Sequence, residues 1–555
     1  MRKVGLWVCG LLAAATLAAS TQEVPLVSAA KVDDKETVHS LLQDKARDAN
    51  AATVDGTTAL HWAVHNNDLE MVDMLLAAGA KFDASNRYGV QPLSLAAQNG
   101  NAAVIDRLLK AGADPNTSLP EGETVLMTAA RVGKVDAIKT LLVHGAKVNA
   151  RDGYRGETAL MWAAARNNAD AVRMLVEFGA DAKIKTNNPP RSTDRKSDSG
   201  NTFSGTPPTG FTAFLFAVRA GQLDAVKALL EAGANVNDTV SDGESALVIA
   251  CANAAWEVAN YLLDKGADPN LAGAGWNALQ QAVRERRPNI GFGTPGPIAK
   301  GNLDSIEVIK KMLAKGAYLN ARMTKNGMKD GQRNRLNRLG TTAFFLAAKN
   351  TDVEVMKVLL AAGADATIPS ADKTTPLMVA SGLMIWNPGE DGGSLPGQEE
   401  EVLEAVKLCV EHGNDVNAKN IYSETALHGA AYRGANLAVQ YLVDKGAKLD
   451  ARDERDWTPL TVANGINYSD FFKAQPPTAD LLRKLMQERS VSTEGQVADG
   501  KECMDCLQTH GEEARAVRQR DVKMEAEFNS WYHYPIGPEN IQKQSPQNQN
   551  GPPQR

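Results

Sequence analysis

Apolar positions recur along this chain in short stripes at helical spacing, and polar turns separate the stripes in a fixed order. One type of stripe opens on threonine, as in Thr58-Ala59-Leu60, Thr158-Ala159-Leu160 and Thr425-Ala426-Leu427. A second type carries a leucine pair and stops at Gly-Ala, as in Leu75-Leu76…Gly79-Ala80 and Leu108-Leu109…Gly112-Ala113. Apolar residues three and four apart predict amphipathic helices. Threonine is a good N-cap, and the proline of Thr375-Pro376 and Thr458-Pro459 suits a first helical position. Glycine just past the leucine pair stops the second helix, because it enters the left-handed region at little cost. Asp and Asn follow, as in Ala113-Asp114-Pro115-Asn116, and predict a turn. The pattern therefore predicts a helix–turn–helix unit with a turn-built tip, repeated.

The closing glycines fall at 79, 112, 145, 179, 233, 266, 316, 363, 413 and 446. Their spacings are 33, 33, 34, 54, 33, 50, 47, 50 and 33, so the longer ones are insertions in a fixed register. Period, threonine opening and closing glycine together resemble the ankyrin-repeat family. The resemblance covers residues 31–486 and implies an all-α solenoid of about twelve stacked repeats with loop insertions near 187–209, 287–300, 322–339 and 386–401. Alanine pairs such as Ala96-Ala97, Ala129-Ala130 and Ala163-Ala164 predict close approach of neighbouring first helices. No single unit can bury its own apolar face, so stacking is obligatory.

Composition refines this picture. A length of 555 residues would ordinarily predict three or four domains. A solenoid makes length a count of stacked units instead. Aromatic residues make up only 5%, and the net charge of −6 argues against nucleic acid as a partner. Arg2 and Lys3 precede an apolar run from Val4 to Ala19, and Ala18-Ala19-Ser20 supplies a small-residue exit. This predicts a signal peptide over 1–20, a short linker over 21–30 and export to the periplasm or medium. No stable membrane span is expected after cleavage, and the mature charge becomes −8.

Catalytic chemistry finds little support. Gly291-Phe292-Gly293-Thr294-Pro295-Gly296 matches G-x-G-x-x-G but follows a helical segment, which excludes the dinucleotide reading. No metalloprotease, nucleophile-elbow or phosphate-loop pattern occurs, so no catalytic residue, cofactor or metal is expected. The resemblance implies a structural hydrogen-bonding role for His61 and His428. The tail over 487–541 carries Cys503-Met504-Asp505-Cys506 and His510, for which a local disulfide is the default in an exported chain. A zinc site, a redox dithiol and a degenerate haem motif remain open there. Met524, Phe528 and Trp531 belong to an interrupted apolar stripe, so a tail helix is expected to dock on the last repeats or on a partner. Residues 542–555 are Gln-, Asn- and Pro-rich and predict disorder.

The resemblance implies a non-enzymatic scaffold that binds a partner protein through its tips and first-helix face. Candidate anchors at tips are Tyr88, Tyr154, Phe211, Trp276, Tyr422 and Trp457; Arg131, Arg219 and Tyr432 lie late in first helices. Tyr, Trp and Arg are the usual interface anchors. The insertion holding Arg322, Lys325, Lys329, Arg333, Arg335 and Arg338 is basic, and that holding Glu390, Asp391 and Glu399–Glu401 is acidic. Each could receive a partner of opposite charge, or the two could attract one another. The alternative function is an accessory of a periplasmic redox system that uses Cys503 and Cys506.

Overall fold

Threonine openings start helices as their chemistry dictates. In the computed structural model, which describes residues 24–44, 48–187, 209–287, 297–299, 301–325, 336–385, 399–468, 471–497, 499–502 and 511–532, Thr58 caps the helix Ala59–His65. Thr124, Thr212, Thr342, Thr375 and Thr458 each accept a bond from the backbone N–H three residues on. Second helices end as glycine requires. After Leu69–Ala77, the Gly79 N–H reaches Leu76 O at 3.0 Å and the Ala80 N–H reaches Leu75 O at 2.9 Å, with Gly79 at φ 85°. This is a Schellman closure, and only glycine enters it without a Cβ penalty.

Two compact units are distinguished, one ending at Ile184 and the other starting at Lys185. In the first, the first helices Pro25–Lys31, Ala59–His65, Pro92–Asn99, Val125–Val132 and Ala159–Ala165 pack in series, each with a second helix after it. Residues 25–30, expected as linker, belong to the first of these helices. Leu26, Val27 and Ala30 are buried there because they cover the apolar end of the next repeat. The alanine pairs 96–97, 129–130 and 163–164 are fully buried between helices.

The second unit continues the same alternation from Ala213–Ala220 to Pro476–Glu488. Its only sheet among the described residues has three strands: Ile466–Tyr468 pairs antiparallel with Phe471–Lys473 and parallel with Asp499–Glu502. The helix Gly511–Trp531 then returns to the repeats.

Successive tips are tied to one another by backbone bonds. Arg87 N–H donates to Asp55 O, Gly153 to Glu121, Ser241 to Thr209, Thr324 to Gly275, Ala371 to Leu339, Ile421 to Asp372 and Glu454 to Tyr422, at 2.8–3.0 Å. Asparagines after the closing turns add a second tie. Asn149 Oδ1 accepts from the Asp181 N–H at 2.8 Å, and its amide donates to Gly179 O at 3.0 Å. Asn50, Asn116, Asn270 and Asn417 repeat that clamp. Asn at this register is therefore an inter-repeat connector.

A third tie uses the third residue of the first helix. His428 Nδ1 accepts from the Thr425 N–H at 3.2 Å, which leaves Nε2 to donate to Trp457 O in the next repeat at 3.0 Å. His61 does the same with Thr58 and Val90. Gln280 fills this position elsewhere, accepting from the Asn277 N–H and donating to Ala321 O. Burial lowers the pKa of both histidines from 6.5. Their folded forms resist protonation, so the stability they lend is complete above the unfolded value and is lost as pH falls toward the lowered one. The share of the urea midpoint that the two histidines supply is expected to shrink as pH falls below 6.5. His428→Gln should stay within about 1 kcal/mol of the parent at neutral pH and show a shallower acid loss. An unchanged pH slope in that variant would remove His428 as a contributor.

Candidate interaction surface

In the first unit both the tips and the first helices present side chains to solvent. Tyr88 is 58% exposed and Tyr154 63%, both at turn apices. The Asp152 carboxylate accepts from the backbone N–H groups of Tyr154, Arg155 and Gly156 at 2.8–2.9 Å, so the backbone under the Tyr154 ring is held in place. Arg87 stacks on Tyr88 with its guanidinium 4.8 Å from the ring centre.

On the first helices, the residue just past the buried third position recurs as Trp62, Leu95, Thr128 and Trp162. The two tryptophans are half-buried and each meets a cation. Lys31 Nζ lies 5.3 Å from the Trp62 ring, and the Arg131 guanidinium lies 5.4 Å from the Trp162 ring. Arg131 is steadied by Glu123 at 3.6 Å, whose carboxylate also accepts from Thr128 Oγ1 at 2.7 Å. Such cation–aromatic pairs present a flat apolar surface with a charged rim. Trp62 and Trp162 are absent from the anchors expected from sequence, which were sought at tips and late in helices. The signal that locates them is their register, at 62, 95, 128 and 162.

In the second unit Arg219 is exposed and lies over Phe211 and Phe216 at 4.8 and 5.2 Å. Phe211 is 2% exposed, so it is the platform and Arg219 the presented group. Trp276, Tyr422, Tyr432 and Trp457 are also buried, at 6–9% exposure. The Arg455 guanidinium lies 5.2 Å from the Trp457 ring, and the Arg520 guanidinium lies 5.1 Å from the Tyr422 ring. Of the nine expected anchors, the structure thus places Tyr88, Arg131, Tyr154 and Arg219 at the surface and the other five inside the packing. Phe211, Tyr422 and Trp457 lie beneath arginines, and Tyr432 belongs to the helix Ala426–Arg433, every residue of which is buried.

The charged insertions are also redistributed. Arg322 and Arg338 are buried at 2% and 6% exposure. Glu399, Glu400 and Glu401 open the helix Glu399–Glu411, where carboxylates suit the positive end of the dipole. Glu401 pairs with Arg287 at 2.8 Å, and Glu399 accepts from the Leu437 N–H at 2.7 Å. Lys329, Arg333, Arg335, Glu390 and Asp391 lie outside the described residues, as do Cys503, Cys506 and His510. Cys251 and Cys409 are fully buried with thiol pKa values pushed far up by burial, which makes them inert packing residues.

Among the described residues no cluster of His, Cys, Asp or Glu could hold a metal ion, and no helix is long and apolar enough to cross a membrane. At the tip Val240–Glu244, burial raises the Glu244 carboxyl to about 7, with Asp242 adding to the effect.

Family models described as ankyrin repeats match residues 26–118, 93–186, 196–273 and 214–290, and a further one matches 410–463. Over 148 residues the chain is 30% identical to a transient receptor potential cation channel subfamily A member 1 homolog of Caenorhabditis elegans, covering 27% of this chain and 11% of that protein. It is 25% identical over 317 residues to the E3 ubiquitin-protein ligase KEG of Arabidopsis thaliana, covering 54% and 18%. It is 33% identical over 166 residues to the mitochondrial disaggregase of Bos taurus, covering 29% and 20%. The chain thus spans a fifth or less of the length of each of these relatives. Ankyrin repeats are a protein–protein interaction architecture. With matching models over more than half of its residues and the helix pairs, caps and tips in place, this chain belongs to the ankyrin-repeat family.

Proposed function

We propose that the chain is a non-enzymatic scaffold that binds a partner protein through the first-helix face and tips of its first unit. The observation that carries this reading is the pairing of half-exposed Trp62 and Trp162 with Lys31 and Arg131, close in sequence to the tip tyrosines Tyr88 and Tyr154. Rigid aromatic groups and arginine lose little entropy on binding and dominate interface energies. Arg219 on its phenylalanine platform offers a comparable anchor in the second unit. A partner suited to these anchors presents carboxylates beside apolar side chains, since each aromatic surface carries a cation at its edge.

Because Arg2, Lys3 and the following apolar run support export, the exported fraction is where the partner is to be sought. Capture from that fraction with immobilised chain, followed by titration of the captured protein, tests the proposal. Trp162→Ala with Arg131→Ala is expected to weaken binding by about thirtyfold, the scale of losing one hot spot of about 2 kcal/mol. Trp256→Phe, a change at a buried position in the other unit, should leave binding unchanged. Equal affinity of the double variant and the parent would remove this face as the binding surface.

A further inference from the structure

The described side chains of the C-terminal helix meet tips far from it in sequence. It returns to tips about two hundred residues upstream. Phe528 and Tyr532 are 2% and 7% exposed and form one cluster with Leu339, joined by Ala371, Met524 and Trp531. Arg322 lies at the centre. Its guanidinium is 4.9, 5.3 and 5.8 Å from the rings of Phe528, Trp531 and Tyr532. The same group donates to Gly340 O at 2.9 Å and Pro369 O at 2.7 Å, so its plane is held between two tips. Its backbone N–H donates to Tyr532 Oη at 2.9 Å.

Polar contacts fix the register of the helix on these tips. Asn529 donates to Thr324 O at 3.1 Å, and Asn337 donates to Met524 Sδ at 3.0 Å. Further along, the Arg520 guanidinium covers Tyr422. The receiving surface is shaped for this approach. A Cβ added at Gly340 would stand 3.0 Å from the Phe528 ring and 2.9 Å from the Arg322 guanidinium. Val522, Lys523, Glu527 and Ser530 face solvent, so one narrow stripe makes the contact. This is helix-in-groove recognition with closely spaced aromatic anchors.

We propose that the tips at Arg322–Thr324, Asn337–Gly340, Ala371 and Tyr422 form a receptor for an aromatic-bearing helix, and that the chain's own C-terminal helix is its resident ligand. While seated, the helix closes these tips to other proteins. Only side chains past residue 519 enter the described contact, and the stretch between Glu488 and Gly511 tethers them. A tethered ligand acts at an effective concentration on the order of millimolar, so free helices at micromolar levels are excluded.

The test uses the full chain and a labelled peptide spanning Gly511–Tyr532. The peptide is expected to bind the Phe528→Ala/Tyr532→Ala chain at least about tenfold more tightly than the parent, whose site is filled. Adding Arg322→Lys to that chain keeps a cation but loses the planar stack, and should weaken peptide binding about tenfold. Only chains that retain the helical melting transition are scored, so loss of fold cannot imitate loss of the site. A peptide carrying the same two alanines should not bind. Equal binding to parent and variant, or no binding to the variant, would overturn the proposal. So would a parent that elutes as a dimer dissociated by the alanine pair, since the helix would then sit on a second copy. All readouts report tail occupancy alone and are independent of the partner sought with the first unit.

Discussion

Asp352→Ala is expected to destabilise the second unit by about 3 kcal/mol, read as a shift of its urea midpoint. Asp352 has no exposed surface and caps the helix Val353–Ala361 by accepting from the Val355 N–H at 3.3 Å. Its other oxygen lies 2.9 Å from Arg286 Nε and 3.9 Å from Arg287 Nε. That oxygen and Arg286 Nε attract as buried charges without an aligned hydrogen bond. Removing the carboxylate takes away a cap worth about 1 kcal/mol and leaves cationic groups facing an empty site. Breaking a buried pair ordinarily costs about 3–5 kcal/mol. The lower end applies here because Arg286 keeps Asp304 at 2.9 Å and the more exposed Glu354. Asp352→Asn keeps the cap and loses the charge, so it should fall between the parent and the alanine variant. A loss below about 1 kcal/mol for alanine would show that the arginines are satisfied by their remaining partners.

Gly429→Ala is expected to cost about 2 kcal/mol, although helix propensity alone predicts a gain. Glycine inside the helix Ala426–Arg433 gives up about 1 kcal/mol relative to alanine. Against that, a Cβ at Gly429 would stand 2.5 Å from the Leu383 backbone nitrogen and 3.2 Å from the Gly382 carbonyl carbon. Both neighbours are main chain and cannot rotate aside. Gly382 is itself committed, with φ at 117° and Arg433 Cβ 2.7 Å from where its own Cβ would be. Forcing apart a close-packed contact costs about 1–3 kcal/mol, and more when backbone must move. Overpacking therefore wins over propensity. A melting temperature raised by the substitution would show that the neighbouring turn gives way.

Much of the fold is legible in the residues because repeats are local. Thr58 and Gly79 each act within a few positions, and the alanine pairs recur at the repeat period, so spacing alone reveals the helix pair and its period. The first helix escaped that reading: Pro25–Lys31 lacks a threonine opening and shows its apolar face only against the next repeat. Site residues were harder to read. Tyr88 and Tyr154 stand out at their tips, but Phe211, Trp276, Tyr422, Tyr432 and Trp457 look the same in sequence and are buried. Whether a tip aromatic faces solvent depends on what its neighbouring tip, an arginine or the tail helix lays over it.

The residues by themselves determine the helix–turn–helix unit, its 33-residue register, its caps and its closing glycines, since each depends on chemistry within a turn or two of chain. Tertiary structure alone decided which aromatics remain exposed, that Arg286 and Asp352 meet, that Gly429 has no room for a methyl group, and that the tail helix closes on Arg322. The last three outcomes are set by groups 46 to 210 residues apart in sequence, where spacing carries no information and only packing brings the partners together.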